Sequence, residues 1–318
     1  MKYQDTQFLR ALAILLVINS HLDRYYPIPY IGTGGAIGNS MFFFLSAFGL
    51  YLSQQKQSQY FKEWFTHRIS RIYPSLWIVL ILLFIPALIW QGKLSYNTIP
   101  KAIDYFFNPP FWFLQALLVY YLLAYPLFKN IWKIKLWAIF GILGILYATG
   151  YLTVVDLSKW SVEQSPFDLI HYFMIFIFGI FIAKKSKDIV FSGIKDYFIA
   201  IAIVGLIYFH KFLMLKGFCL EYQFLQQLAI YPLVYYLLKI SRSHFITTNI
   251  MHAPYLSRIV DFLANHTLEI YMVHQTISAP ILYMQMPFPI NLAVFLMLTF
   301  CLSAIVNRMA NYMRNNVI

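Results

Sequence analysis

Charge is what this chain of 318 residues has least of. Charged side chains make up 11 % of it, against about a quarter in an ordinary soluble domain. So few cannot cover a water-facing surface, and a soluble globular protein is excluded. Cysteine is almost missing: Cys219 and Cys301 suggest no bridge, zinc site or redox pair, and no metal is expected. There is no Gly-rich phosphate loop, which argues against a P-loop nucleotide enzyme. There is no internal repeat and no low-complexity tract, so neither a solenoid nor a disordered linker fits.

Apolar residues fill the space instead. They form 60 % of the chain, with a mean hydropathy of +0.64. Roughly 20 apolar residues cross one bilayer, and suitable runs fall at 8–24, 37–54, 72–90, 111–128, 136–153, 167–183, 197–213, 224–240, 266–284 and 288–308. The expected fold is all-α: a polytopic integral membrane protein of about ten transmembrane helices. Residues 1–318 read as a single transmembrane domain with no soluble domain appended. The first run is no cleavable signal peptide, because it holds Arg10, Asn19 and His21 and no small-residue cleavage site follows.

Lysine and arginine set the orientation. With both termini inside, cytoplasmic segments hold eighteen of the 24, among them Lys62, Arg68, Arg71, Lys184, Arg242 and Arg314. The outer segments hold six: Arg24, Lys93, Lys101, Lys159, Lys211 and Lys216. This bias accounts for the net charge of +12 without a nucleic-acid partner. In the longest connector, 241–265, Pro254 suits a first helical position. Tyr255, Leu256, Ile259, Val260 and Leu263 follow at helical spacing, which predicts a helix lying on the membrane surface. The segment 99–107 has a similar pattern. The sequon at Asn265 falls on the cytoplasmic side and is read as chance.

Ionisable groups inside a span are costly and mark function or a water-filled cavity. Three sets stand out. Arg10 and His21 lie eleven residues apart, which at about 100° per residue brings them within about 20° of one helical face. Asn19, Ser20 and Asp23 surround the histidine. The plain alternatives are snorkelling for Arg10 and interhelical packing for His21. Arg68 and Arg71, at i and i+3, share a face and suit bidentate phosphate binding; as plain topology anchors they would need no ligand. His274 and Gln275 form a third set, with Glu269 nearby and placed near enough to the inner end to reach water. His171 reads as a packing or interfacial histidine.

These segments resemble the membrane-bound acyltransferase-3 family, which acylates bacterial surface sugars. The likeness rests on five stretches in order. They are Phe8-Leu9-Arg10-Ala11-Leu12-Ala13 through Ser20-His21, Met41 through Phe48, and Arg68-Ile69-Ser70-Arg71-Ile72-Tyr73-Pro74. The fourth runs from Trp112-Phe113-Leu114 through Tyr121 to Pro126, and the fifth is Thr267 through Gln275. The chain departs from the pattern at Ala11 and Ala47, where glycine is frequent, and at Leu117 and Leu118, where some members carry glutamates. Those acids therefore have no part here.

The resemblance implies a multi-pass protein of the bacterial cytoplasmic (inner) membrane, an O-acyltransferase. It would take an acetyl or similar short acyl group from cytoplasmic acetyl-CoA to a sugar hydroxyl of a surface polysaccharide such as O-antigen or capsule. The acceptor would be a lipid-linked or surface glycan. Arg10, Arg68 and Arg71 would bind the donor, and His21 would be catalytic, as general base or acyl carrier. The competing expectation is a transporter or flippase for a glycan or small molecule. Against it, paired half-helices broken by Gly or Pro are not evident.

Overall fold

The computed structural model describes residues 3–56, 60–93, 95–129, 135–158, 167–278 and 286–316. Lys133, Lys159 and the end of the ninth apolar run lie outside the described residues. Among those described, the chain is all-helical, with no strand. In chain order the helices are α1 (Tyr3–Ser20), α2 (Gly35–Lys56), α3 (Phe61–Val79), α4 (Ile85–Trp90), α5 (Ile99–Asp104), α6 (Trp112–Lys129) and α7 (Leu136–Thr153). There follow α8 (Asp168–Lys184), α9 (Ile194–Leu215), α10 (Phe224–Ile240), α11 (Pro254–Asn265), α12 (Thr267–Ile277) and α13 (Ile290–Asn316). Every apolar run has its helix, and Pro254 opens α11 as expected.

Among the described residues, five stretches are long and apolar enough to cross a membrane: Pro29–Gln55, Phe61–Trp90, Leu136–Thr153, Ile194–Leu215 and Ile290–Asn316. The second is continuous from α3 to α4 through a π turn at Leu80–Phe84. Pro86 explains the irregularity. It has no N–H for the carbonyl of Leu82, and a helix meets such a gap by shifting its hydrogen-bond register.

The helices fall into two compact units. The first comprises Met1–Ala13, Ala36–Ser58 and Leu123–Asp261. Here α9 packs on α10, and α8 on both α7 and α10. Its core is aromatic and β-branched, with Phe43, Phe44, Phe48, Ile175, Phe176 and Ile177 all fully buried. Gly179 lets α8 approach α2 closely: a Cβ there would stand 2.5 Å from the carbonyl oxygen of Phe44. Small residues serve this purpose where helices meet in lipid. On α9, Ile194, Phe198, Ile201, Leu206 and Phe209 are more than half exposed. A helix with that much bare apolar surface suits a lipid-facing position.

The second unit comprises Ile14–Gly35, Gln59–Leu122 and Phe262–Ile318. Its centre is α12, which packs against α3 and α13. Glu269, Ile270, Tyr271, Met272, Val273 and His274 are all buried in succession. A helix covered on every side is a core element, and here the core includes two ionisable groups. The rings of Phe111 and Phe113 lie 6.2 and 5.2 Å from that of Tyr271, the first edge-on and the second tilted. Tyr73 and Trp77 of α3 tie down the segment after α5, donating to the carbonyls of Phe107 (2.8 Å) and Phe106 (3.0 Å).

Candidate functional site

The turn after α1 places His21. α1 ends at Ser20, so His21 stands just beyond the helix and not within it. Local chemistry ends the helix here. Asn19 turns its amide to the following loop, donating to the carbonyls of Ile31 and Thr33 at 2.9 Å each, and accepts from the hydroxyl of Tyr26 at 2.7 Å. Short polar side chains that bond the backbone outside the helix favour its ends. The loop must come very close to make these bonds. A Cβ on Gly32 would lie 2.6 Å from the backbone nitrogen of Asp23, and one on Gly35 would lie 2.5 Å from Ser20 Oγ. Gly34 has φ +105, a conformation that favours glycine.

The same unit brings α12 to this turn. Gln275 Nε2 and His21 Nε2 are 2.9 Å apart, across 254 residues of sequence. An amide can present either its NH2 or its oxygen to a ring nitrogen. One nitrogen of His21 is thus held by Gln275. The His274 ring lies 5.2 Å from that of His21, centroid to centroid. His274 Nδ1 donates to the carbonyl of Ile270 at 2.9 Å, while its Nε2 is buried without a hydrogen-bond partner among the described residues. The result is an exposed histidine backed by a buried histidine and a glutamine. Such an arrangement can hold an imidazole in one orientation and keep its basic edge open.

A second polar group joins α12 to α3 and α13. Glu269, expected to reach water, is instead 2 % exposed, and it accepts from the hydroxyl of Ser75 at 2.6 Å. Arg314 Nη2 on α13 stands 3.9 Å from the carboxylate. A buried carboxylate needs such partners, because its desolvation is otherwise costly. Arg68 and Arg71 lie one to two turns away on the same helix α3, Arg71 exposed and Arg68 partly covered. The Arg68 guanidinium sits 5.6 Å above the Trp64 ring, a favourable seat for a planar cation. Arg10 belongs to the first unit, half-buried on α1 between the buried Leu9 and Ala11.

The sequence pointed to His21, Arg10, Arg68 and Arg71; the second unit holds His21, Arg68 and Arg71, and Arg10 belongs to the first. Gln275 and His274 were visible as a polar pair but carried no tie to His21. Arg314 gave no signal beyond a basic residue at a membrane edge. Among the described residues no three histidine, cysteine or acidic side chains converge as metal ligands.

Comparison with known proteins gives a family and one relative to set beside this geometry. The family described as an acyltransferase domain matches residues 5–308. A curated relative is the peptidoglycan O-acetyltransferase OatA of Listeria monocytogenes, 28 % identical over 137 residues. That stretch is 40 % of this chain and 21 % of the relative, so the chain spans about a fifth of the relative's length. No solved structure matches.

Proposed function

The chain belongs to this acyltransferase domain family, and from that membership we propose that it is an O-acyltransferase of the bacterial inner membrane. It moves an acetyl or similar short acyl group from cytoplasmic acyl-CoA to a sugar hydroxyl of a surface polysaccharide, O-antigen or capsule being the leading kinds. The observation that carries the reading is the contact between Gln275 and the exposed His21, with His274 behind it. That contact fixes an imidazole where a reacting group could meet it.

In this reading Arg68 and Arg71 hold the phosphates of the donor, a task suited to planar guanidinium forks. Arg10 is assigned to the donor as well. His21 takes the proton of the acceptor hydroxyl as that oxygen attacks the thioester carbonyl; the C–S bond breaks and the proton passes to the leaving thiolate. In the covalent form of the same chemistry the imidazole attacks the thioester carbonyl first, the C–S bond breaks and the thiolate leaves with a proton. The acceptor hydroxyl then attacks the acyl-imidazole, the C–N bond breaks and the hydroxyl proton goes to the freed imidazole. Incubation with radiolabelled acetyl-CoA and no acceptor separates the two. Label trapped on the protein after acid quench, and missing from His21→Gln, marks the covalent route.

The proposed topology has about ten crossings and both termini in the cytoplasm. Its support is the distribution of lysine and arginine. Cysteines introduced at Tyr60 and Val190 should resist an impermeant reagent in intact cells, whereas one at Trp160 should label. Labelling at Tyr60 from outside would reverse the orientation and remove the cytoplasmic donor with it. The activity itself is tested by ester acetate on surface polysaccharide with and without the gene. Unchanged acetate would favour the transporter.

A further inference from the structure

Pro74 interrupts α3 three residues after Arg71. Proline has no N–H, and its ring crowds the carbonyl one turn back. The helical bond that Ser70 O would accept from residue 74 is therefore missing. α13 supplies a substitute. Arg314 Nε donates to Ser70 O at 3.2 Å, and its Nη2 donates to Arg71 O at 2.9 Å and to Ser75 Oγ at 3.1 Å. Nη1 donates to Asn311 Oδ1 on its own helix at 2.8 Å. The Ser75 hydroxyl donates in turn to Glu269, which also faces the guanidinium. All three nitrogens are occupied by protein, so Arg314 is poorly placed to grip a ligand as well.

We propose that Arg314 is a positioning residue that closes the proline-opened turn of α3 and so sets the direction in which Arg68 and Arg71 leave the helix. The inference rests on the reading that those two arginines bind the phosphates of acyl-CoA. It assigns to Arg314 a part in donor affinity that its own contacts with substrate would not supply. A purely electrostatic role, neutralising Glu269, would need only a cation. The clamp needs the fork, because lysine offers one nitrogen where two carbonyls must be met.

The test is equilibrium binding of acetyl-CoA to the purified full-length protein in detergent or nanodiscs, beside donor KM and kcat. Arg314→Lys should weaken binding and raise donor KM by about tenfold, the scale of losing a hydrogen bond to a charged group, with kcat little changed. Pro74→Ala restores a backbone N–H to Ser70 O, and added to Arg314→Lys it should return affinity to within about twofold of wild type. Should Arg314→Lys fail to accumulate, the pair Glu269→Gln with Arg314→Gln leaves no buried charge stranded and asks the same question. The same loss, again reversed by Pro74→Ala, is expected. Wild-type affinity in the variants without the fork overturns the inference, and so does a loss that Pro74→Ala does not repair. A wild-type protein that neither binds nor consumes acetyl-CoA overturns the donor reading beneath it, an outcome distinct from either.

Discussion

Each of the two units buries a histidine, and the two are treated very differently. In the first, His171 is 3 % exposed and ringed by Tyr147, Tyr172 and Tyr231, with Nδ1 at 3.5 Å from the Tyr231 hydroxyl. One turn away, Asp168 accepts from Gln227 at 3.1 Å, and Gln227 in turn accepts from the hydroxyl of Tyr147. His171 Nε2 is itself buried without a hydrogen-bond partner among the described residues. In the second unit the buried His274 also keeps its Nε2 unmatched, but it stands behind an exposed partner, His21. Burial of a titratable group in an apolar helix is thus an incomplete sign of function. What separates the two is whether the buried group supports one that a substrate can reach.

That contrast can be broken or sharpened by substitution. The largest effect is expected at His21. His21→Gln should insert and accumulate normally yet lose about 10²–10⁴-fold in acyl transfer, the usual worth of general acid–base catalysis. Ester acetate on purified polysaccharide, beside a blot for membrane protein, reads it; near wild-type acetate would sink the mechanism and favour a transporter. Next comes the double change Arg68→Lys with Arg71→Lys. It keeps both charges and should still cost about tenfold in donor KM, because lysine lacks the fork. Full transfer by that variant would make the pair topology anchors.

Gln275→Leu should cost about three- to tenfold in kcat, in line with one net hydrogen bond that orients the imidazole. No loss would leave His21 oriented by something else and weaken the case for α12 as its support. The smallest effect is expected in the first unit. His171→Phe should lower stability by about 0.6 kcal/mol, the mean for such bonds in membrane helices, with transfer within about threefold of wild type. A loss there as large as at His21 would erase the distinction between the two histidines.

The sequence made the helices legible because apolar runs of membrane length have few other uses. Even the edges of the runs at 136–153 and 224–240 coincide with α7 and α10. It made His21 visible for a similar reason, since a histidine among leucines and isoleucines is costly. Its placement was less legible. The apolar run carried the first helix on to residue 24, whereas α1 ends at Ser20, one residue before His21, where Asn19 and the glycines of the next loop take over. Glu269 was misplaced toward water, because its partners Ser75 and Arg314 come from 194 residues before it and 45 after it. No periodicity encodes a pairing of that range. The link between Gln275 and His21 was hidden in the same way.

The cluster of Ser75, Glu269 and Arg314 also constrains how the protein is made. Membrane proteins emerge from the ribosome from the N-terminal end at about 5–20 residues per second. α3 therefore enters first, with the Ser70 carbonyl lacking its main-chain donor, and Glu269 follows many seconds later. Arg314 emerges only after both. Until then the carboxylate of α12 has Ser75 but not its cation, and Arg68 and Arg71 stand on a turn that Arg314 does not yet close. The second unit thus becomes competent at a late step of synthesis, when α13 docks. A nascent chain halted before that point would present an exposed, half-satisfied carboxylate to the machinery that surveys the membrane.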